Sequence, residues 1–165
     1  MTKVKIKLEG GMMPFKASAG AAAYDLRAPE DVEIMGGRQL VDLKFRLELP
    51  YGYAATIQPR SGFSAKGFEV DRILLEDGVV LEVKREVRID GDVKRGLVDA
   101  DYRGTVRVII HVRTKPQPFE RLVIRKGTRI AQMQIVQVPE VELVEVQELS
   151  ETDRGDGGIG STGTK

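Results

Sequence analysis

The 165-residue sequence contains no cysteine and no tryptophan, and its only histidine is His111. The lack of cysteine excludes disulfides, thiol nucleophiles and cysteine-based zinc sites. A single histidine excludes a histidine-rich metal site, and a Ser-His-Asp relay would have to run through His111. If the chain is an enzyme, its proton chemistry therefore falls to carboxylates, helped by a hard cation such as Mg²⁺.

The sequence also has no marked excess of positive or negative charge, few aromatic side chains and no long apolar run. Lysine and arginine total 26 against 25 aspartates and glutamates, and this balance predicts no binding to nucleic acid or to an anionic membrane surface. Five phenylalanines and four tyrosines are too few for a platform that stacks single strands. No run of about 18 apolar residues and no apolar signal-peptide core occurs, so we expect a cytoplasmic protein that does not span a membrane. The length predicts a single domain over 1–165.

The sequence does contain a period of two in its apolar residues. Apolar and polar side chains alternate at 4–8, 45–49, 53–57, 81–89 and 106–112, and glycine, proline and Asp-Gly turns separate these runs. Only 61–67 has room for a turn or two of helix. Many short strands at regular spacing predict an all-β sandwich or barrel.

The last sixteen residues, 150–165, carry one apolar side chain. Such a segment cannot bury enough surface to order itself, so 150–165 is either a disordered end or a flexible lid that orders on a ligand. The glycines at 155–160 fit G-x-G-x-x-G, but a dinucleotide site also needs a strand before the glycines and a helix after them. Successive glycine amides with Arg154 and Ser161 remain able to surround an oxyanion.

Four further segments place polar side chains at predicted turns or strand ends. Arg60, Ser61 and Gly62 follow Pro59, which ends a strand, and an arginine, a hydroxyl and backbone amides suit a phosphate. Asp99 and Tyr102 lie at the tip of a predicted hairpin, where the carboxylate is a candidate base. Asp25 lies between two strands, and Gln132 lies in one. Each segment alone is also typical of an ordinary turn or strand edge.

Together with the tail, these segments resemble the five motifs of the trimeric dUTPase family. In order they are Ala-Ala-Ala-Tyr-Asp-Leu at 21–26, Pro-Arg-Ser-Gly at 59–62, Gly-Leu-Val-Asp-Ala-Asp-Tyr-Arg-Gly at 96–104, Arg-Ile-Ala-Gln at 129–132 and Arg-Gly-Asp-Gly-Gly-Ile-Gly-Ser-Thr-Gly at 154–163. The resemblance runs from about Pro14 onward, apart from one insert. It implies a jelly-roll-like β subunit, a homotrimer with shared active sites, and hydrolysis of dUTP to dUMP and pyrophosphate with Mg²⁺.

The resemblance also implies a role for each matching residue. Asp99 would be the general base that activates water for attack on the α-phosphate and would bond the 3′-hydroxyl, while Gln132 would hold that water. Tyr102 would lie under the deoxyribose and reject a 2′-hydroxyl, and Asp25 would reach Mg²⁺ through water. The backbone of Gly96, Leu97 and Val98 would pair with uracil, Arg60, Ser61 and Gly62 would hold phosphates, and Arg154 with Gly158, Ile159, Gly160 and Ser161 would close over the nucleotide from a neighbouring subunit.

Among the features that depart from the family's pattern are residue 159 and one insert. Ile159 stands where the fifth motif usually has a phenylalanine that stacks on uracil. The insert, about 68–94, is predicted to be a hairpin with its turn at Asp77-Gly78. This hairpin either packs on its own subunit or forms an arm that lengthens the trimer contact or binds a protein partner.

Two alternatives to dUTP hydrolysis remain. The chain is either a dUTP-binding signalling protein that recruits a partner through the inserted hairpin, or an enzyme like dCTP deaminase. The second alternative is disfavoured, because the strand at 106–112 lacks the acidic residue usual in that enzyme.

Overall fold

The protein is built from short antiparallel strands, as shown by a computed structural model that describes residues 2–157. Within this range there are twelve strands and one six-residue helix. The elements are β1 (Lys5–Leu8), β2 (Tyr24–Arg27), β3 (Val32–Glu33), β4 (Gly37–Glu48), β5 (Tyr53–Gln58), α1 (Ser61–Lys66), β6 (Phe68–Glu76), β7 (Val79–Ile89), β8 (Gly91–Val93), β9 (Gly96–Val98), β10 (Thr105–Val112), β11 (Glu120–Ile124) and β12 (Arg129–Gln137).

The strands form three four-stranded sheets. Their orders are β1-β4-β10-β8, β3-β11-β6-β7 and β2-β12-β5-β9, and every pairing is antiparallel. The predicted jelly-roll-like all-β fold is confirmed, and the short helix lies where the sequence left room for it.

The alternation of apolar and polar residues is explained by a single core that all three sheets share. On β4, Val41, Leu43 and Phe45 are buried while the side chains between them are partly exposed, because successive side chains of a strand point to opposite faces. Leu26, Phe45 and Phe68 come from the three different sheets and belong to one buried cluster. Packing against this cluster therefore stabilises all three sheets together.

The insert contains the predicted hairpin. β6 and β7 pair along their length, and Asp77 and Gly78 both have positive φ angles, 47° and 79°, as a tight hairpin turn requires. The base of the hairpin is part of the core, because Phe68 and Val70 are buried and β6 also pairs with β11. The distal part of β7 is exposed. β6 thus packs on its own subunit as far as Leu75, through its pairing with β11, whereas most of β7 does not.

A charged network fastens the base of the hairpin to the β11–β12 turn. The buried carboxylate of Asp71 accepts a hydrogen bond from Arg125 Nε at 2.8 Å, and Arg125 Nη1 donates to Asp31 at 2.6 Å. The backbone N–H of Lys126 also donates to Asp31, at 2.8 Å. This N–H and the Arg125 guanidinium hold the pKa of Asp31 below its usual range, because both stabilise the ionised carboxylate.

The chain leaves the core after β12, well before the change in composition at residue 150. Residues 138–157 contain no strand or helix. Their apolar side chains are exposed: Val141, Leu143, Val144, Val146 and Leu149. Among the residues described, no helix is both long and apolar enough to cross a membrane. The cytoplasmic location stays a prediction.

Candidate active site

One cavity gathers residues from the first, second and fourth motifs. It measures about 290 Å³, and its lining includes Asp25, Arg60, Ser61 and Gln132. The strand register explains this grouping. Gln132 on β12 lies opposite Asp25 on β2 and opposite Gln58 on β5, and directly opposed residues point to the same face of a sheet. We call this the phosphate-side cavity.

Asp25 is the electrostatic centre of the phosphate-side cavity. Its carboxylate is buried and receives Arg60 Nε at 2.7 Å on one oxygen and Arg129 Nη1 at 3.2 Å on the other. Such pairing compensates the cost of burying a carboxylate and holds two guanidinium groups close together. Each arginine donates through one nitrogen to Asp25, and its other N–H groups can bind phosphate oxygens.

Local structure positions the other functional groups of this cavity. Pro59 ends β5 because it has no N–H for the sheet, and Arg60 and Ser61 follow at the start of α1. Gln132 Nε2 donates to the Pro59 carbonyl at 3.0 Å, which orients the carboxamide and leaves its oxygen for a ligand. An added Cβ at Gly62 would meet no atom of the described chain, so its backbone is open to an approaching ligand.

The third motif lies at the opposite end of the same sheet. Gly96, Leu97 and Val98 form β9, an edge strand that pairs only with β5 within the described residues. Asp99 follows it and is exposed. It lines a separate cavity of about 440 Å³ with Tyr53. We call residues 99–104 the Asp99 turn.

The Asp99 turn holds a free carboxylate next to a braced ring. No hydrogen bond or ion pair reaches the Asp99 side chain from any residue in 2–157. The Tyr102 hydroxyl donates to the Thr105 carbonyl at 3.1 Å. A Cβ atom added at Gly104 would lie 2.2 Å from that hydroxyl oxygen. The Tyr102 ring can therefore fold back over residue 104 only because that residue is a glycine. The turn therefore presents a proton acceptor and a fixed aromatic face.

One chain does not bring all the predicted residues together. Extending the β5–β9 register places Asp99 opposite Ala54, whereas Gln132 lies opposite Gln58. Four residues of strand separate these positions by about 13 Å. Asp99 and Gln132, which were predicted to act on the same water, are therefore apart within one subunit.

Part of the fifth motif is described and lies in an exposed turn. Gly155 N–H donates to the Thr152 carbonyl at 3.0 Å, and Arg154 Nε donates to the Gly157 carbonyl at 2.7 Å. Arg154 contacts neither cavity. The predicted contributions of Gly158, Ile159, Gly160 and Ser161 fall outside the described residues.

Arg129 is a site residue that the sequence reasoning did not single out, although it opens the fourth motif. Its contact with Asp25 depends on an irregularity in the β2–β12 register between Arg129 and Ala131. A simple alternation counted from Gln132 places residue 129 on the opposite face. The available signal was charge, because Arg129 is the only charged residue of β12.

The sequence is similar to those of known proteins over most of its length. The family model described as dUTPase matches residues 10–80 and 84–163. A deoxyuridine 5′-triphosphate nucleotidohydrolase from Hydrogenobaculum sp. is 41% identical over 138 residues, covering 82% of this chain and 78% of that protein. The protein of the same name from Paramecium bursaria Chlorella virus 1 is 34% identical over 136 residues, covering 82% of this chain and 78% of that one.

Solved structures show the same fold at lower sequence identity. A mutant dUTPase of Staphylococcus bacteriophage 80alpha, determined with dUpNHpp, superposes with a TM-score of 0.77 at 23% identity and 99% coverage of both chains. A dUTPase from phage phi11 of S. aureus, whose species-specific insert was visualised, gives a TM-score of 0.66 at 19% identity, covering 91% of this chain and 99% of that one.

Proposed function

The chain belongs to the dUTPase family, and from that premise we propose that it hydrolyses dUTP to dUMP and pyrophosphate. The main observation behind this proposal is the phosphate-side cavity. Three motifs that are distant in sequence come together there and place Asp25, Arg60, Ser61 and Gln132 around one space. A cavity with two arginines and a hydroxyl suits a triphosphate, because guanidinium groups bind phosphate oxygens in pairs.

The proposed reaction uses Asp99 as the general base. Its carboxylate takes a proton from water, the water oxygen bonds to the α-phosphorus, and the bond from that phosphorus to the α,β-bridging oxygen breaks, so that pyrophosphate leaves. Two features support this role. Asp99 is exposed, and it receives no hydrogen bond or ion pair from residues 2–157, so its carboxylate is free to accept a proton. Gln132 would hold the water through its carboxamide oxygen.

The sugar and base would lie against the third motif. The Tyr102 ring, braced by its hydrogen bond to Thr105, would lie under the deoxyribose and leave no room for a 2′-hydroxyl. β9 is a sheet edge within the described residues, so backbone groups of Gly96, Leu97 and Val98 are available to pair with uracil. Such pairing in a close-walled site would exclude the 5-methyl group of thymine.

The active sites are proposed to be shared within a homotrimer. The separation between Asp99 and Gln132 supports this, because a second copy must supply one half of the site. The exposed apolar residues of 138–149 also support it, since residues 2–157 leave Val141, Leu143 and Val146 uncovered. Arg154 with Gly158, Ile159, Gly160 and Ser161 would close each site from a neighbouring subunit.

Mg²⁺ is the proposed cofactor, and the donor set fits one mode of binding. No group of three or more acidic or histidine side chains converges anywhere in 2–157, so these residues alone do not form a cage. Mg²⁺ commonly keeps several waters and binds one or two carboxylates plus substrate phosphates. Asp25 is the carboxylate in the phosphate-side cavity that would hold such a hydrated ion. When bound, Mg²⁺ would neutralise phosphate charge.

The test is pyrophosphate release from dUTP, UTP, dTTP and dCTP in parallel, with and without Mg²⁺. We expect turnover of dUTP above that of the other three nucleotides and a strong dependence on Mg²⁺. Equal turnover of dUTP and UTP would contradict the role of Tyr102. Preferential deamination of dCTP would favour the deaminase alternative instead.

A second candidate function rests on the distal part of the inserted hairpin. Val79, Val80 and Leu81 are more than half exposed there, which favours contact with another surface. On this alternative the chain binds dUTP and recruits a protein partner through the hairpin, with hydrolysis secondary. Deleting only the tip of the hairpin, about 76–82, would abolish partner binding while dUTP turnover remained. Loss of turnover on that deletion would instead favour a hairpin that only supports the enzyme.

A further inference from the structure

A second cavity adjoins the phosphate-side cavity and uses residues outside the motif roles given above. It measures about 400 Å³ and lies between α1, the base of the β6–β7 hairpin and the β11–β12 turn. Its lining includes Lys66 from α1 and Arg88 from β7. Arg60 and Arg129 line both cavities, so the two spaces meet at these arginines. We call this second space the hairpin-base cavity.

The hairpin-base cavity carries an excess of positive charge. Arg60, Lys66, Arg88 and Arg129 face one carboxylate in the lining, Glu69, and the Asp25 carboxylate behind the shared arginines, which leaves two positive charges uncompensated. Glu69 pairs with Arg88 at 2.5 Å. Lys66 has no ion pair with any residue of 2–157. A concave, cationic space of this kind attracts a multiply charged anion.

The shared arginines can bind anions on both sides. Asp25 occupies Arg60 through Nε and Arg129 through Nη1. A guanidinium group has five N–H donors, so each arginine keeps several that can reach oxygens in either cavity. An anion can therefore pass from one cavity to the other while it keeps hydrogen bonds to these two side chains.

We propose that the hairpin-base cavity is an exit site for pyrophosphate, the anion released by the proposed dUTP hydrolysis, on which this inference rests. Pyrophosphate is small, carries several negative charges and presents oxygens in many directions, which suits donors from three elements around one space. Lys66 and Arg88 act on the leaving product, and the substrate is held by Arg60, Ser61 and the Asp99 turn. Product inhibition by pyrophosphate therefore depends on the insert.

The test compares wild-type protein with Lys66→Gln, Arg88→Gln and the double variant. Pyrophosphate binding is titrated calorimetrically without nucleotide, and its inhibition constant is measured against dUTP. We expect each single change to weaken pyrophosphate binding about three- to tenfold, since each removes one charged donor. The kcat/KM for dUTP should stay within about twofold of wild type.

Two further variants separate anion binding from loss of packing. Glu69→Gln removes the carboxylate in the lining and frees Arg88, so pyrophosphate should bind about two- to fivefold more tightly. A purely structural role predicts weaker binding for every substitution at this place. Lys84→Gln is the matched control, because Lys84 lies on the same strand but outside both cavities, and it should change nothing. Thermal melts check that each variant folds.

Three results would overturn the exit site. The first is pyrophosphate binding within twofold of wild type for the double variant. The second is a parallel fall in kcat/KM for dUTP, which would make the cavity part of the substrate site. The third is equal affinity for orthophosphate and pyrophosphate, which indicates nonspecific attraction. Wild-type protein that binds pyrophosphate through Lys66 and Arg88 but does not hydrolyse dUTP would contradict the proposed function instead, and leave an anion site of other use.

Discussion

The phosphate-side cavity and the Asp99 turn are proposed to act on one substrate, yet their carboxylates are held in opposite ways. Asp25 is buried and paired on both oxygens, with Arg60 and Arg129. Asp99 is exposed and receives no partner from residues 2–157. One half of the proposed site is thus organised within a single chain, and the other half is presented outward.

The chemistry of the two halves explains this difference. Two guanidinium groups side by side repel each other, and a carboxylate between them offsets that repulsion before any phosphate arrives. A general base has the opposite requirement, because an ion pair lowers the pKa of a carboxylate and weakens it as a proton acceptor. An unpaired Asp99 stays free for the water that it is proposed to activate.

The largest expected effect is a loss of turnover in the Asp99→Asn variant. The amide cannot accept the proton, so kcat for dUTP should fall by about 10²- to 10⁴-fold while a non-hydrolysable dUTP analogue still binds. The melting temperature should not change, since the side chain has no partner to lose within the described chain. Undiminished pyrophosphate release would contradict the assignment of Asp99 as the base.

The separation of the two halves can be tested by subunit mixing. Asp99→Asn and Arg60→Ala chains are each expected to be inactive. When they are unfolded and refolded together, roughly a quarter of the wild-type activity should return if each site combines halves from two neighbouring subunits. Each variant refolded alone is the control. A mixture as inactive as its components would mean that both halves come from one chain.

A third test measures how much the pairing of Asp25 with its two arginines contributes to stability. Asp25→Asn leaves Arg60 and Arg129 without their shared carboxylate, so we expect the free energy of unfolding to fall by about 1–3 kcal/mol. Asp92→Asn is the control, because it removes a partly exposed aspartate that pairs with a single lysine, Lys94. Equal melting temperatures for Asp25→Asn and Asp92→Asn would indicate that the paired arginines contribute nothing to stability.

The tail would add a third part to the site, and Ile159 tests its contribution. A ring stacked on a base contributes about 1–3 kcal/mol, and isoleucine has no flat face to supply it. Ile159→Phe should raise kcat/KM for dUTP about two- to tenfold if ~0.5–1.4 kcal/mol is recovered. Ile159→Leu is the control without a ring. Unchanged or poorer kcat/KM for Ile159→Phe would indicate a pocket shaped around isoleucine.

The smallest effect concerns the charged network of Asp31, Arg125 and Asp71 at the base of the hairpin. The pKa of Asp31 is lowered by the Lys126 N–H and Arg125, so its stabilisation is complete above the unfolded pKa, near 3.8, and is lost as pH falls through the lower folded value. Asp31→Asn should lower the free energy of unfolding by less than about 1 kcal/mol at neutral pH. Melts from pH 6 to pH 3 should show this difference shrinking on acidification. A difference that grows towards pH 3 would contradict the sign.

Much of the fold could be predicted because its signals are local. Alternation along β4 reflects the geometry of one strand, and the Asp77-Gly78 turn reflects the φ angles of two residues. The family was also visible in the sequence, because its motifs are short contiguous strings. The pairing of β6 with β11 was not predictable in this way, because it joins segments about fifty residues apart and leaves no pattern in either one.

The sequence alone determined which residues make up the site, whereas the tertiary structure set how these residues are divided between its two halves. Asp25, Arg60, Asp99 and Gln132 are readable as motif residues without coordinates. Only the sheet order puts β12 and β9 on opposite sides of β5, with Gln132 near one end of that strand and Asp99 near the other. The clamp of Arg129 on Asp25 likewise depends on a register irregularity between two strands about a hundred residues apart. Strand neighbours and registers are set by packing of the whole core, which no single segment of the chain encodes.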